Sequence, residues 1–347
     1  MYIYYAAALD EDSYLLSQES VLQTLKLACY FGDADVVALL ATRVGVLEGH
    51  GCLMQAIYQG HAPVVEVLLE AKANMEQTTK AGDTGLGVAV LQGRTAVVHV
   101  LLAAKANVLH KNNDGISPLG IAVAVGDLNI VQELVSAKAD VNAPEDGPVL
   151  LSAAAKGQTK IVSNLMRAKA KVDTAAEEDD ATALVLAATR GHADIVETLI
   201  VSKATVDMPT SAGVTGLIGA AAAGHRDIVQ TLLAAKSAVD RPDAGGRTAL
   251  FAAAANGHLN VVRALLAGDA RPGVSMPDGC SPLMIATVQG FREVVICLLE
   301  NGASVHQSLV ARNEVLKADA GTTVMNIDKA FGNSFIKQCL ASAKLQC

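Results

Sequence analysis

Residues 246–270 read GRTALFAAAANGHLNVVRALLAGDA, and this stretch decides the fold of the chain. Thr248 is placed to cap a short helix whose apolar side consists mainly of alanine. Gly257 breaks that helix, and in the helix that follows Val261 and Leu265 lie on one apolar stripe at helical spacing. Each helix has only about two to three turns and is too short to be stable alone. The stretch therefore predicts a helix–turn–helix unit that must stack against neighbouring copies.

Copies of this unit return along most of the 347 residues. Each copy has a glycine between its two helices, called the reference glycine below, and these are Gly32, Gly60, Gly93, Gly126, Gly157, Gly191, Gly224, Gly257, Gly290 and Gly332. Their spacing is 28 residues at the start, 31 to 34 residues through the middle and 42 residues at the end. In most units Thr or Ser lies nine residues before the reference glycine. Such a fixed period predicts a repeat array.

These features resemble the ankyrin-repeat family. The family phrase G-x-T-P-L-H-x-A-A-x-x-G-H-x-x-V-V-x-x-L-L-x-x-G-A-D-V-N appears in fragments such as GISPLGIAVAVGDLNIVQELVSAKADVN at 115–142. The resemblance covers residues 21–345 in about ten units, and it implies an all-α repeat solenoid of stacked helix–turn–helix units with short β-hairpin or loop fingers. The histidine of the T-P-L-H phrase is absent, and its positions hold Gly87, Gly120, Val185, Ile218, Phe251 and Met284.

The two ends of the chain depart from the repeat pattern. Residues 1–20 fit no unit, and we expect them to form an N-terminal extension or cap. Residues 21–306 are predicted to hold repeats 1–9. Residues 307–347 are predicted to hold a modified finger, with a short extra helix, and then a C-terminal capping repeat. The capping interpretation rests on polar residues such as Asp328 and Lys337, because polar outer faces keep the ends of a solenoid soluble.

The exit from each second helix carries lysine where ankyrin repeats usually have glycine, as in LLAAKANV at 101–108. These lysines are Lys72, Lys105, Lys138, Lys169, Lys203 and Lys236. The family glycine commonly has a left-handed backbone, which costs a residue with a Cβ roughly 1 kcal/mol or more. A stiffer unfolded chain and a positive charge at the helix C-terminus offset that cost. We therefore predict that lysine in place of the family glycine changes the stability of each repeat very little. The main interpretation is that these lysines cap the helix ends, and the alternative is that they form a ladder that contacts an acidic partner or an anionic surface.

Composition excludes several classes of function. The net charge of −8 argues against non-specific nucleic-acid binding, which needs a basic surface. The six cysteines form no C-x-x-C pair, so we expect neither a zinc site nor a disulfide framework. This pattern favours a reducing compartment, and we expect the protein to be cytoplasmic. The sequence contains no stretch of 18 uncharged apolar residues, so we predict no membrane span. The acidic start of the chain is unlike a secretory signal.

No motif predicts an active site, so we expect no catalytic, cofactor-binding or metal-binding residues and no cofactor. Four histidines directly follow a reference glycine and recur with the fold, which favours a structural role: His61, His192, His225 and His258. The acidic run Glu177, Glu178, Asp179 and Asp180 is predicted to be a solvated turn, with a basic partner or a weak cation site as alternatives. Asn142 resembles the asparagine that is hydroxylated in some ankyrin repeats, although a hairpin-forming asparagine is the default interpretation.

The resemblance also implies where a partner would bind, because ankyrin partners usually lie across the fingertips and the inner helices. In each inner helix, the first of the unit, the two residues directly before the reference glycine are expected to be exposed. In the first four units these partner-binding candidates are Tyr30, Phe31, Tyr58, Gln59, Leu91, Gln92, Ala124 and Val125. They predict an apolar or amphipathic partner segment on the N-terminal half of the concave face. The alternative is that residues 1–20, with Tyr2, Tyr4 and Tyr5, cover this surface.

The predicted function is a non-enzymatic protein–protein interaction module, namely an adaptor, scaffold or assembly subunit. We expect neither a nucleic-acid partner nor direct membrane insertion. The alternative is a regulatory or inhibitory subunit that binds and controls an enzyme through the same surface. The predicted fingertips add Lys80, Asp83, Asn113, Ile116, Val214, Arg247 and Cys280, a mixed set that indicates no particular ligand.

Overall fold

The computed structural model describes residues 18–44, 51–143, 148–313 and 316–330, and within them the helices come in consecutive pairs. The earlier pairs are α1 (Gln18–Phe31) with α2 (Ala34–Val44), α3 (Cys52–Gln59) with α4 (Ala62–Glu70), α5 (Gly85–Leu91) with α6 (Thr95–Ala103), α7 (Pro118–Val125) with α8 (Leu128–Ser136), and α9 (Val149–Ala155) with α10 (Thr159–Arg167). The later pairs are α11 (Ala183–Arg190) with α12 (Ala193–Val201), α13 (Gly216–Ala223) with α14 (Arg226–Ala234), α15 (Ala249–Ala255) with α16 (Leu259–Ala267), and α17 (Pro282–Gln289) with α18 (Arg292–Glu300); a single helix, α19 (Val324–Ala330), follows. The repeat solenoid predicted from the period is confirmed.

The chain divides into two compact units. The first contains α1–α8 and the start of α9, and the second contains the rest of α9, nearly all of α10 and α11–α19. Among α1–α8, and again among α11–α19, the first helix of one pair packs on the first helix of the next, and the second helices do the same. Because the first helices are rich in alanine and glycine, they can approach one another closely.

In the repeats where the sequence has Thr or Ser at the predicted capping position, that residue caps the first helix. The side chains of Thr84, Ser117, Thr182, Thr215, Thr248 and Ser281 each accept a hydrogen bond from the backbone N–H three residues on. Each bond satisfies one of the N–H groups that a helix start leaves unpaired. These caps keep helices of seven or eight residues in register with the fingers that precede them.

The core lies between the helices of successive pairs. On α16, Val261, Val262 and Leu265 are almost completely buried, as the stripe predicted. On α14, Ile228 and Leu232 occupy the equivalent place. Since neither helix of a pair buries its apolar stripe alone, each pair depends on its neighbours for stability.

The lysines at the exits of the second helices have the left-handed backbone that the resemblance implied. Their φ angles lie between 65° and 70° at Lys72, Lys105, Lys138, Lys169, Lys203 and Lys236. Gly302 has a φ of 85° at the corresponding place. Asp269 has a φ of 66° after α16, and the sequence pattern did not identify it as a member of this set. The second helices of these repeats therefore end in the same left-handed backbone geometry, whether the residue there is lysine, aspartate or glycine.

Replacing Asp269 by lysine is expected to stabilise the protein by about 1 kcal/mol at low salt, because a carboxylate at a helix C-terminus opposes the helix dipole and an ammonium complements it. Asp269 is exposed, and the left-handed backbone already accommodates lysine in six repeats. Asp269→Asn removes only the charge and should give about half of the gain. Urea unfolding followed by circular dichroism measures both variants. An equal gain at high salt would contradict the electrostatic explanation.

The fingers are short turns with isolated β-bridges, such as Thr78 with Thr84 and Ala175 with Thr182. In the last finger the prediction of a short extra helix is wrong, because among residues 301–313 and 316–323 the structure shows no helix. Asn313 instead exchanges backbone hydrogen bonds with Ala318 in an isolated antiparallel β-bridge. The Asn313 side chain also donates to the carboxylate of Asp278 and joins this bridge to the preceding finger. Residues 1–17 of the predicted cap and residues 331–347 of the predicted capping repeat lie outside the described residues.

Candidate functional site

The predicted partner-binding residues lie at the C-terminal ends of four first helices of the first unit. Helix α1 packs on α3, α3 on α5, and α5 on α7, so the ends of these helices follow one another along the unit. Their large apolar side chains are between 48% and 52% exposed and form what we call the apolar strip: Tyr30, Phe31, Tyr58, Leu91 and Val125. The adjacent Gln59 and Gln92 are partly exposed, and Ala124 is exposed. The structure therefore brings the predicted side chains to one series of helix ends, open to solvent.

Leu27 extends the apolar strip and was missed by the sequence reasoning. It is as exposed as Tyr30 and lies three and four residues before Tyr30 and Phe31 on α1. Residues at these separations share one face of a helix, so the helical period was a signal that could have identified it. The rings of Tyr30 and Phe31 meet edge to face, with centroids 5.1 Å apart. This pairing orients two aromatic side chains before any partner arrives.

Residues of the next repeat hold the ends of the strip helices in place. His61 Nε2 lies 2.9 Å from the carbonyl oxygen of Tyr30, and Arg94 Nε donates to the carbonyl of Tyr58 at 3.3 Å. A carbonyl can only accept, so the ring nitrogen of His61 carries the proton. These bonds satisfy carbonyl groups that a helix end leaves unpaired. The same contact joins His192 to Ala155, His225 to Thr189 and His258 to Ala222.

A second surface, which we call the groove, lies in the second unit and has a volume of about 890 Å³. Its walls are α11, α13, α15 and α17 on one side and the fingers on the other. Val214, Arg247 and Cys280 occupy the same place in three successive fingers, directly before the capping residue. Sequence reasoning named these three residues only as part of a mixed set of fingertips, and it missed that the row of small side chains beside them leaves a recess. The run of Ala and Gly in α13 and α15 was the available signal.

One finger of the groove holds a charged side chain in a fixed position. The carboxylate of Asp243 accepts from the backbone N–H groups of Gly245 and Arg247 at 2.9 and 2.8 Å. Its second oxygen accepts from Arg247 Nε at 2.8 Å. The Asp243 side chain is 0% exposed, whereas that of Arg247 is 54% exposed. The finger thus buries the negative charge and presents the guanidinium to solvent.

The family model described as Ankyrin repeats (3 copies) matches residues 25–112, 53–145, 119–212, 150–243 and 217–308. This chain belongs to the ankyrin-repeat family. Ankyrin repeats are protein–protein interaction modules. No curated protein sequence matches this ankyrin-repeat chain. Among the residues that the structure describes, no helix has the length and apolar character needed to cross a membrane.

The cysteines of this ankyrin-repeat chain that lie within the described residues are free and buried, namely Cys29, Cys52, Cys280 and Cys297. A hydrogen bond with Cys52, together with burial, raises the pKa of the Cys29 thiol. Burial and the nearby Asp278 raise the pKa of Cys280 to about 12, so this wall of the groove presents a neutral thiol at physiological pH. Burial also raises the pKa of Cys297.

The acidic run of the ankyrin-repeat chain forms an exposed turn. Asp179 Oδ1 accepts from the backbone N–H of Ala181 at 3.0 Å, and Asp180 has a φ of 56°. The carbonyl of Asp179 accepts from the N–H of Ser211 in the next finger at 2.9 Å. Within the described part of the chain, no three His, Cys, Asp or Glu residues form a group that could hold a metal ion.

Asn142 connects two neighbouring repeats of the first unit. Its backbone N–H donates to Asp140 Oδ1 at 2.9 Å, and its side-chain amide donates to the carbonyl of Lys169 at 3.2 Å. The equivalent Asp207 accepts from Ser237 and from the backbone of Ala238 in the following repeat. Residues at this position therefore form hydrogen bonds between neighbouring repeats. Hydroxylation of Asn142 stays a prediction.

Proposed function

We propose that this ankyrin-repeat chain is a non-enzymatic adaptor, scaffold or assembly subunit that holds a segment of a partner protein on the apolar strip. One observation carries the proposal: five large apolar side chains at successive helix ends are about half exposed. Scattered single apolar residues on a surface need no explanation, but a contiguous series of them is typical of an interaction site. Aromatic side chains dominate binding energy at such sites because they bury much area at little entropic cost.

The chemistry of the strip favours an apolar or amphipathic partner segment. Tyr30, Phe31, Tyr58 and Leu91 supply apolar area, and Gln59 and Gln92 alternate with them and can both donate and accept hydrogen bonds. Such a surface binds the apolar face of a segment and also satisfies its polar groups. We propose neither a nucleic-acid partner nor direct membrane insertion, since the chain carries a net charge of −8.

The proposed module lies in the cytoplasm, and the free state of the four described cysteines supports this location. We assign residues 1–20 to an N-terminal extension or cap, residues 21–306 to repeats 1–9, and residues 307–347 to the modified finger and a C-terminal capping repeat. The paired helices within residues 18–44, 51–143 and 148–300 support the middle assignment, and the first of these helices begins at Gln18.

Replacing Tyr58 and Leu91 together by serine is expected to weaken partner binding by about 1,000-fold, since two central hot-spot side chains contribute about 2 kcal/mol each. The unfolding midpoint should hardly change, because both side chains are half exposed. The partner is captured from native lysate with the tagged wild-type chain and identified by mass spectrometry. The affinities of wild type and variant for that purified partner are then measured by titration.

Val201→Ser serves as the matched control, because Val201 is an 83% exposed apolar residue on a second helix, α12, outside the strip. It should bind the partner with wild-type affinity. A large loss of stability in the double variant would instead support the alternative that the N-terminal residues cover the strip. If the captured partner is an enzyme whose activity changes on binding, the chain is a regulatory or inhibitory subunit that uses the same surface.

A further inference from the structure

The groove of the second unit is long and crosses several repeats. Its lining begins at Thr189 on α11 and ends at Asn313 in the last finger, so it passes four successive first helices. Neighbouring helices pack about 8–10 Å apart, and four of them therefore span roughly 30 Å. An extended peptide rises about 3.3 Å per residue, so about nine residues cover this distance. The length of the groove matches an extended chain segment.

The floor of the groove is apolar and recessed. Ile218, Phe251 and Ile285 are buried along it, and Ala222 and Ala255 leave space between them. Large side chains occupy the corresponding positions in the second and third repeats of the first unit, where Tyr58 and Leu91 are about half exposed. The recess therefore accepts an apolar side chain from outside, whereas the apolar strip offers its own side chains to a partner.

The rim of the groove carries one exposed charge. Arg247 and Asp243 are the charged residues of the lining, and the carboxylate of Asp243 is buried and saturated by three donors. Arg247 uses only Nε in that pair, and its two terminal nitrogens bond no residue in the described part of the chain. A guanidinium held in one orientation is suited to a carboxylate, which it binds through two parallel hydrogen bonds.

We propose that this groove binds an extended segment of a partner protein in which a large apolar side chain lies close to an aspartate or glutamate. The apolar side chain enters the recess beside Ala222 and Ala255, and the carboxylate pairs with the terminal nitrogens of Arg247. The neutral thiol of Cys280 and the amides of Asn256 and Gln289 offer no competing charge along the lining. This site consists of different residues from the apolar strip, and it does not depend on the function proposed for that strip.

A random nonapeptide library displayed on phage, selected against the full chain, provides the probes. Enriched peptides are synthesised with a fluorescein label, and their affinities are measured by anisotropy. Each is paired with a copy in which its acidic residue is changed to the amide. The protein variants are Arg247→Met, which removes the charge but keeps much of the aliphatic stem, and Ala255→Leu, which fills the recess. Ala234→Leu is the control for the added bulk, because Ala234 is an exposed alanine of the same unit on a second helix, α14, outside both the groove and the apolar strip.

The selected peptides are expected to carry Asp or Glu within a few residues of a large apolar residue. Arg247→Met should weaken their binding at least about ten-fold, and the acid-to-amide change should have a similar effect on wild type but little effect on that variant. Ala255→Leu should also weaken binding at least about ten-fold, and Ala234→Leu should leave the affinity unchanged. Circular dichroism checks that each variant is folded.

Three results would overturn the proposal. The first is a selection that enriches no peptide. The second is enriched peptides whose affinity does not change with Ala255→Leu, or whose acidic residue shows no coupling to Arg247. The third is peptides that lose binding with Tyr58→Ser and retain it with Ala255→Leu, which would assign them to the apolar strip and leave the function proposed for that strip intact.

Discussion

Replacing Gly224 by alanine is expected to lower the free energy of unfolding by about 2–3 kcal/mol. Gly224 ends α13 with a φ of 83°, a backbone that costs a residue with a Cβ about 1 kcal/mol or more. The new Cβ would also lie 2.9 Å from Cε1 and Nδ1 of His258. That ring would have to move, and its hydrogen bond to the carbonyl of Ala222 would be lost or weakened at a further cost of about 1 kcal/mol.

Gly93→Ala is the matched control for the backbone effect. Gly93 has a φ of 64°, and among the described residues no heavy atom beyond its two chain neighbours lies within 4 Å of an added Cβ. Its substitution should therefore cost only about 1 kcal/mol. In the double variant Gly224→Ala/His258→Ala the ring is absent, so the combined cost should be smaller than the sum of the single costs.

The chain contains no tryptophan, so urea unfolding of these variants is followed by circular dichroism at the helical signal. Amide hydrogen exchange shows which helices lose stability in each variant. Because each repeat contacts only its neighbours, the loss should be confined to the repeats beside the substitution. Protection should fall most in α13–α16. Equal costs at Gly93 and Gly224, or strictly additive costs in the double variant, would show that the histidine contact does not matter.

These glycines and histidines illustrate why so much of the fold was predictable from sequence. The histidine after one reference glycine packs on the reference glycine of the preceding repeat, as His192 does on Gly157 and His225 on Gly191. Both residues of the contact recur at the same interval, so one repeat predicts the next. Caps such as Thr248 and the left-handed lysines follow the same logic, because each solves a local problem that every repeat shares.

The candidate surfaces were less predictable, because they depend on what differs between repeats. The apolar strip was found from sequence because Tyr30, Tyr58 and Leu91 are large residues at a position already known to be exposed. The groove was missed because it depends on small side chains: Ala222 and Ala255 leave space above the helices, and a recess appears only when several such positions are stacked. The wrong helix in the last finger has a similar origin. Residues between 308 and 323 fit no repeat, and Asn313, which bridges to Ala318, also bonds to Asp278 of the preceding finger, a tertiary contact that the local sequence does not indicate.

Replacing Asp243 by alanine is expected to lower the free energy of unfolding by about 3 kcal/mol. The substitution removes one buried carboxylate that accepts from Gly245 N–H, Arg247 N–H and Arg247 Nε. The two backbone donors would lose their partner in a site with no access to water at the side chain, and each such loss costs about 1–3 kcal/mol. Arg247 would also lose the bond that orients it over the groove.

Asp243→Asn separates the geometry of this turn from its charge. Asn112 occupies the equivalent place in a finger of the first unit, and its side-chain oxygen accepts from the N–H groups of Asp114 and Ile116. An asparagine at 243 should therefore keep both backbone bonds, but its amide NH2 would face the Nε–H of Arg247, and both groups are donors, so the charge-assisted bond is lost at a cost of about 1–2 kcal/mol. Urea unfolding compares the two variants with Asn112→Ala, which removes the same backbone bonds in the first unit. If Asp243→Asn is as destabilising as Asp243→Ala, the ion pair with Arg247 holds the finger, and the backbone bonds of the turn are secondary.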